Sequence, residues 1–230
     1  MGKRTVVFIQ ARLGSSRLPA KVLLPLPTGR IVLEEVIIRA SMIDGVDSVF
    51  VLVPGNEDGD IIERHVKDVS SVDCMTGPED DVLGRFMIGA SMVHADAYVR
   101  ITADCPMLNH VVAGELIRRF WEEKAEYATN AWPVRTYPHG WDVEVFTRDL
   151  LRRAAREAHT PLDREHVTPW MQRYATKNAS ILSMTSTEDR SNERITLDTI
   201  EDYRTIWHRL AETGADAKCA GKRTVPLPVT

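Results

Sequence analysis

Apolar and polar positions along this chain alternate between two periods. Thr5–Ile9, Ser48–Val53, Val72–Met75 and Ala97–Ile101 are short apolar runs rich in β-branched residues, the pattern of strands buried on both faces. Between them, apolar residues recur at helical spacing over Leu33–Ile43, Asp60–Val69 and Asp80–Val93. In the last of these, Val82, Leu83, Phe86, Met87 and Ala90 share one side. Pro54-Gly55-Asn56 marks a turn. This rhythm predicts an α/β fold with a mostly parallel sheet and helices on both faces.

After a further helix over Val111–Trp121 the pattern changes. Glu126–Asn130 and Asp142–Thr147 read as strands joined by Trp132–Trp141, a loop of aromatic and turn residues. Helices are predicted over Asp149–Ala158 and Arg164–Tyr174, strands near Ile181–Met184 and Arg194–Leu197, and a last helix over Ile200–Glu212. Ala215–Thr230, with Gly221, Pro226 and Pro228, reads as an irregular tail. No repeat or linker divides the chain, so a single domain over 1–230 is expected, with a small β and loop excursion in its second half.

Charge narrows the choice of partner. The 29 basic and 33 acidic residues are interspersed, and the net charge is −4. No long basic run argues for nucleic acid, so any anion site must be built from a few placed residues. No apolar run approaches the roughly 20 residues of a membrane span, and the first strand follows Met1-Gly2-Lys3-Arg4 too closely for a signal peptide. Cys74, Cys105 and Cys219 have neither metal-ligand spacing nor an even number, which predicts a reducing, cytoplasmic setting.

The candidate chemistry sits at predicted strand ends, where ligands of open α/β sheets bind. Gln10-Ala11-Arg12-Leu13-Gly14-Ser15-Ser16-Arg17-Leu18-Pro19-Ala20-Lys21 follows the first strand and brings cations to a glycine-containing loop. Backbone N–H groups and Arg and Lys side chains in such a loop can hold phosphate, although a solvated basic loop has the same composition. It is neither a Walker loop nor a G-x-G-x-x-G fingerprint. Asp104 ends the fourth strand and is able to bind Mg²⁺ or to cap a turn; Asp198 is able to do the same or to cap the last helix, where Thr199 competes for the role. Asp142 and Glu144, two apart on a predicted strand, would face one side. His166, at a predicted helix start, reads as structural rather than catalytic.

Further motifs continue the pattern: Glu79-Asp80-Asp81-Val82-Leu83-x-Arg85-Phe86, Arg100-Ile101-Thr102-x-Asp104-Cys105-Pro106, Arg135-Thr136-Tyr137-Pro138-x-Gly140-x-Asp142-x-Glu144, Arg164-Glu165-His166-Val167-Thr168-Pro169 and Arg194-x-Thr196-Leu197-Asp198-Thr199-x-Glu201-Asp202-Tyr203. Together with the first loop, and in this order, they resemble the CMP-sugar synthetases, the cytidylyltransferases for sialic-acid-like nonulosonic acids and Kdo, and within them the spore coat polysaccharide SpsF branch. The resemblance implies a three-layer α/β/α, Rossmann-like fold of the nucleotide-diphospho-sugar transferase type. It implies CTP and an acidic sugar as substrates, Mg²⁺ as cofactor and a homodimer.

Residue by residue, the resemblance implies that Gln10, Ala11, Arg12, Gly14, Ser15, Arg17 and Lys21 bind the nucleotide, with Lys21, Arg12 and Asp104 catalytic. Asp104 and Asp198 would hold the metal, and Asp81 and Arg85 would approach the cytidine. Arg135, Tyr137, His139, Asp142 and Glu144 would meet the acceptor. One position departs from the family, which usually has Gly before the loop lysine where this chain has Ala20; a positive φ there would strain Ala by about 1 kcal/mol. The rival readings are a glycosyltransferase that consumes a nucleotide sugar and a non-catalytic nucleotide-binding protein.

Overall fold

A computed structural model of the chain describes residues 2–69 and 72–217, with side chains over 2–67 and 72–212. The first half winds as the sequence pattern predicts. Strand β1 (Thr5–Gln10) is followed by α1 (Val32–Ser41), β2 (Ser48–Pro54), α2 (Glu57–Val69), β3 (Cys74–Gly77), α3 (Val82–Met92) and β4 (Ala97–Thr102). Then come α4 (His110–Glu122), β5 (Tyr127–Thr129), β6 (Glu144–Thr147), α5 (Arg148–Glu157), α6 (Pro161–His166), α7 (Pro169–Lys177), β7 (Ile181–Ser183) and α8 (Ile200–Ala217).

One seven-stranded sheet has the order β3-β2-β1-β4-β6-β5-β7. β1 pairs in parallel with β2 and β4, β2 with β3, and β5 with β7, whereas β6 runs antiparallel to both its neighbours. Alternate strand residues face opposite helical layers. Val7, Ile9, Val99 and Val145 pack with α1, α2 and α4; Val6, Phe8, Tyr98 and Phe146 pack with α3, α5 and α7. On that second face Phe8 stacks on Tyr98 with ring centroids 4.9 Å apart and meets Phe86 edge-on at 5.6 Å. Aromatic pairs of this kind contribute about 0.5–1.5 kcal/mol beyond the apolar area they bury.

The chain leaves β1 toward β2 and β3, then returns through α3 to place β4 on the other side of β1. The crevice at the carboxyl ends of β1 and β4 is therefore a topological switch point, where open α/β sheets bind ligands. α8 packs away from both main layers, against Leu26, Val32 and Leu197, through Ile206 and Leu210.

Three sequence expectations change. Arg164–Tyr174 is two helices, because Val167 takes φ 69° and ψ −53° between them and Pro169 starts α7. Arg194–Leu197 is not a strand; it contributes a bridge from Arg194 to His139. Ala215–Ala217, expected to open an irregular tail, belong to α8; Cys219 and the rest of that stretch lie outside the described residues. Among the described residues, no helix is long and apolar enough to cross a membrane.

Candidate active site

The loop after β1 is anchored at both ends. Ala11 N–H donates to Leu52 O at 3.0 Å, and Ala20 N–H donates to Leu13 O at 3.0 Å. Ala20 has φ 54° and ψ 24°, the left-handed conformation, and so starts the 3-10 turn Lys21–Leu23. This is the position where the resembled family usually has Gly, and Ala occupies it at a cost of about 1 kcal/mol. The turn points Lys21 back over the carboxyl end of the sheet. A side-chain Cβ at Gly14 would meet only open space, so that glycine leaves the loop's outer wall open rather than relieving a clash.

Lys21 Nζ donates to Asp104 Oδ2 and to Asp198 Oδ1, both at 2.7 Å. Two carboxylates remote in sequence thus converge on one cation. A backbone tie brings them together, since Leu197 N–H donates to Asp104 O at 2.8 Å. Neither aspartate caps a helix. Asn109 caps α4 through its side-chain oxygen. At α8, Thr199 Oγ1 accepts from Asp202 N–H at 3.2 Å while Asp202 Oδ2 accepts from Thr199 N–H at 2.9 Å. This reciprocal pair leaves the Asp198 carboxylate free to face the cleft.

Electrostatics follow from that geometry. Burial opposes the charge on Lys21, but Asp104 and Asp198 outweigh it and hold its pKa above the usual lysine value. Burial likewise opposes ionisation of Asp198, and Lys21, Arg17 and Arg194 outweigh it, holding its carboxyl below the usual range. Arg17 Nη2 lies 3.2 Å from Asp198 Oδ1, and Arg194 bonds its other oxygen. Cys105 Sγ is 3.6 Å from Asp104 Oδ1. Burial first, then Asp104, push its thiol well up, so it is not a thiolate nucleophile.

Around this cluster lies a cleft of about 460 Å³, lined by Gln10, Arg12, Gly14, Ser15, Arg17, Lys21, Asp104 and Asp198 among others. A smaller pocket adjoins it, lined by Ala11, Val82, Arg85, Glu165 and His166, with Gln10 and Arg12 lining both. Arg85 donates to Pro78 O at 2.7 Å and Glu79 O at 2.9 Å. Burial, and then the nearby Arg12, lower its guanidinium below the ordinary value. Arg12 reaches Glu165 at 3.6 Å.

The sequence-selected residues therefore fall into three groups. Gln10, Arg12, Gly14, Ser15, Arg17, Lys21, Asp104 and Asp198 share the cleft, and Ala11 and Arg85 line the pocket beside it. Asp81 lines neither; it caps α3, accepting from Gly84 N–H at 2.8 Å, and binds Arg164. Arg135, Tyr137, His139 and Asp142 lie on the 130–143 loop rather than among the cleft-lining residues. There Arg135 pairs with Asp142, and His139 N–H donates to Glu193 O at 2.9 Å. Burial first, then Arg135, hold the His139 imidazole below its ordinary pKa.

The shared face expected of Asp142 and Glu144 does not form, because β6 begins only at Glu144. Asp142 stands outside the strand on Arg135. Glu144 is buried, with its carboxylate bound by Arg100 and the Tyr127 hydroxyl. Sequence reasoning gave no role to Arg100 or Arg194. The legible signal for Arg100 was a lone charge inside the apolar run Tyr98-Val99-Arg100-Ile101; for Arg194 it was its place four residues before Asp198.

The donor set bears on a metal. Mg²⁺ commonly takes one or two carboxylates and completes its shell with phosphate oxygens and water. Asp104 and Asp198 already meet at one cation, the Lys21 ammonium, and so have the disposition and the hard oxygen chemistry to hold such an ion. Together with Arg12 and Arg17, the cleft suits a polyphosphate more than a neutral ligand.

Comparison with known proteins shows the family. The Spore coat polysaccharide biosynthesis protein SpsF of Bacillus subtilis is 30% identical over 205 residues, covering 86% of this chain and 83% of that one. The structure of a cytidylyltransferase from Leptospira borgpetersenii matches with a TM-score of 0.83 at 27% identity, over 98% of this chain and all of that one (100%). CMP:2-keto-3-deoxy-manno-octonic acid synthetase, complexed with CTP, shares the fold with a TM-score of 0.70 at 18% identity, over 91% of this chain and 99% of its own. The cytidylyltransferase family model matches residues 6–213, from the first residues of β1 into α8, and the chain belongs to that family.

Proposed function

We propose that this chain transfers CMP from CTP to an acidic sugar of the nonulosonic or Kdo-like kind, releasing pyrophosphate, in the biosynthesis of a surface polysaccharide or glycoconjugate. One observation carries the reading: Lys21 binds Asp104 and Asp198 at the joint carboxyl ends of β1 and β4. A phosphate-binding cation and two acidic groups thereby meet at the switch point of the sheet. The name of the Bacillus subtilis relative supports the polysaccharide role, and the CTP complex of the Kdo synthetase supports the nucleotide.

A sugar hydroxyl oxygen attacks the α-phosphorus in line. The new O–P bond forms as the bond from the α-phosphorus to the bridging oxygen breaks, pyrophosphate leaves with that electron pair, and the hydroxyl proton passes to solvent water. Lys21, Arg12 and Arg17 neutralise the triphosphate, an effect that strengthens as charge builds on the leaving group. Lys21 can exchange an aspartate oxygen for a phosphate oxygen, so its charge is never left unpaired. Asp104 and Asp198 would hold Mg²⁺, which when bound supplies charge neutralisation at phosphate oxygens. The main work of the protein is positioning.

The test is a pyrophosphate-release screen of four nucleoside triphosphates against a panel of sugar acids and sugar phosphates, with Mg²⁺ and with chelator. Release from CTP with an acidic sugar is the expected result. A nucleoside diphosphate released from a nucleotide sugar would make the chain a glycosyltransferase, and CTP binding without turnover across the panel would make it a binding protein.

A further inference from the structure

Beneath the cleft runs a chain of polar groups that the proposed chemistry leaves unused. It starts at Gln10, the last residue of β1, whose Oε1 accepts from Arg100 Nε at 2.8 Å. The Arg100 guanidinium also binds Glu144, and the other Glu144 oxygen accepts from the Tyr127 hydroxyl. Gln172 Nε2 lies 3.2 Å from the Tyr127 oxygen and 3.3 Å from Glu144 Oε1. Strand register explains the alignment: Phe8 pairs with Arg100, and Arg100 with Glu144, so these side chains share one face of the sheet.

Arg100 fixes which end of the Gln10 amide faces it. A guanidinium has only donors, so the group against it must be the amide oxygen. The Gln10 NH₂ is then the end of the amide left for the spaces that Gln10 lines. Gln10 and Arg12 are the residues that line both the large cleft and the smaller pocket. If the triphosphate lies among the charges of the large cleft and the nucleoside enters the smaller pocket, the residues at the joint meet the α-phosphate.

We propose that Gln10 is a catalytic residue whose side-chain N–H donates to the α-phosphoryl oxygen, and that Arg100 and Glu144 are positioning residues acting through it. The inference rests on the cytidylyltransferase reading above and adds to it a donor aimed at the reacting phosphorus. Glu144, which the resemblance assigned to the acceptor, serves the reaction through Arg100 on the same face of the sheet. Its buried charge is matched by Arg100, and Tyr127 and Gln172 bind the oxygen that faces away from it. A donor that is orientated before the substrate arrives costs no reorganisation during the reaction.

A double-mutant cycle tests this with CTP, its best acceptor and Mg²⁺, reading kcat by pyrophosphate release and the CTP Kd by calorimetry. Gln10→Met should lower kcat by at least about tenfold and raise the Kd by less than about threefold, because the donor acts chiefly in the transition state. Glu144→Gln should lower kcat in the wild-type background and add nothing in the Gln10→Met background. Wild-type kcat in Gln10→Met, wild-type kcat in Glu144→Gln, or a Glu144→Gln loss of equal size in both backgrounds would overturn the inference. Should Glu144→Gln not fold, Gln10→Glu decides: it keeps an acceptor for Arg100 but replaces the donor with a carboxylate oxygen. It should lose at least as much as Gln10→Met, and a retained rate overturns the inference. A wild-type protein that releases no pyrophosphate from any pair would end the cytidylyltransferase reading and this inference with it. An active wild type with an unimpaired Gln10→Met overturns the inference alone.

Discussion

Lys21 carries two demands that pull in opposite directions. Its side chain is 12% exposed, which disfavours charge, yet it faces two carboxylates that require charge. Removing one partner leaves the rest mismatched. Asp198→Asn would set Lys21, Arg17 and Arg194 against one another, and should destabilise the fold at pH 7 by about 1–3 kcal/mol, between the values for exposed and buried pairs. The sign of its pH dependence is fixed. The Asp198 pKa is depressed on folding, so its contribution is present above the unfolded carboxyl pKa of about 3.9 and fades as pH falls through the folded value. Lys21 is raised, so its contribution is complete below about pH 10.4 and fades as pH rises through the folded value. Urea unfolding of wild type and Asp198→Asn should therefore differ at pH 7 and converge in acid; a difference that persists undiminished at pH 2 would sink this account. For catalysis, Lys21→Ala should lower turnover at least about tenfold, roughly 1.4 kcal/mol of barrier, and wild-type rates would remove Lys21 from the site. Ala20 tests the loop itself. Ala20→Gly relieves the left-handed strain but gives the unfolded chain more freedom, so stability should stay within about 1 kcal/mol of wild type with turnover kept. Ala20→Val should cost more than that in the same urea assay, since β-branching makes the conformation a genuine outlier.

Elements explain why part of this site was legible in the sequence and part was not. The β1 loop and Asp104 follow apolar runs, so their place at strand ends could be read directly. Asp198 could be found only by motif, since the stretch before it is not a strand. That stretch is held from two sides: Ile195 N–H donates to His139 O on the 130–143 loop at 2.9 Å, and Leu197 N–H donates to Asp104 O just after β4 at 2.8 Å. Such pairing depends on residues far apart in the chain, which periodicity does not register. The same holds for Glu144, whose burial follows from Arg100 on a neighbouring strand. At Val167 the relevant signal was present but local: Thr168 precedes Pro169, which disfavours continuing a helix there. Thr168 N–H instead bonds His166 O at 2.8 Å across Val167, a strained γ-turn that ends α6 with His166 lining the smaller pocket. Gly140 is where the 130–143 loop passes close to the backbone leading to Asp198. It has φ 106°, and an added Cβ would lie 2.8 Å from Ile195 C and Thr196 N. Gly140→Ala combines backbone strain with a backbone clash, so it should cost at least about 2 kcal/mol. Because the displaced segment carries Asp198, Mg²⁺-dependent activity should fall in the fraction that still folds. A Gly140→Ala protein with wild-type stability would show that the loop and the 193–197 segment are not held together as described.

At the scale of the molecule, the sheet supplies a fixed crevice and the charges within it are already matched to one another. The Lys21 ammonium stands between the two aspartates, and Arg17 and Arg194 also pair with Asp198, so each carboxylate already has a cation without ligand, and nucleotide binding would be an exchange of partners rather than the filling of a bare anion site. The net gain should therefore depend on both halves of the exchange. Phosphates must take over from the carboxylates at Lys21, and a cation must take over from Lys21 at the carboxylates. On the proposed function, CTP alone would provide the first half, and CTP with Mg²⁺ would provide both. Ligand held at a hundred times its Kd stabilises the native state by about 2.7 kcal/mol, which for a chain of this size raises the melting midpoint by roughly 5–10 °C. CTP with Mg²⁺ should produce a shift of that order, and CTP with chelator a clearly smaller one. Asp104→Asn should abolish the increment due to Mg²⁺ while keeping much of the response to CTP alone, because Lys21, Arg12 and Arg17 remain. An Asp104→Asn protein that keeps the full Mg²⁺ increment would place the metal elsewhere, and the two carboxylates would then serve only to hold Lys21.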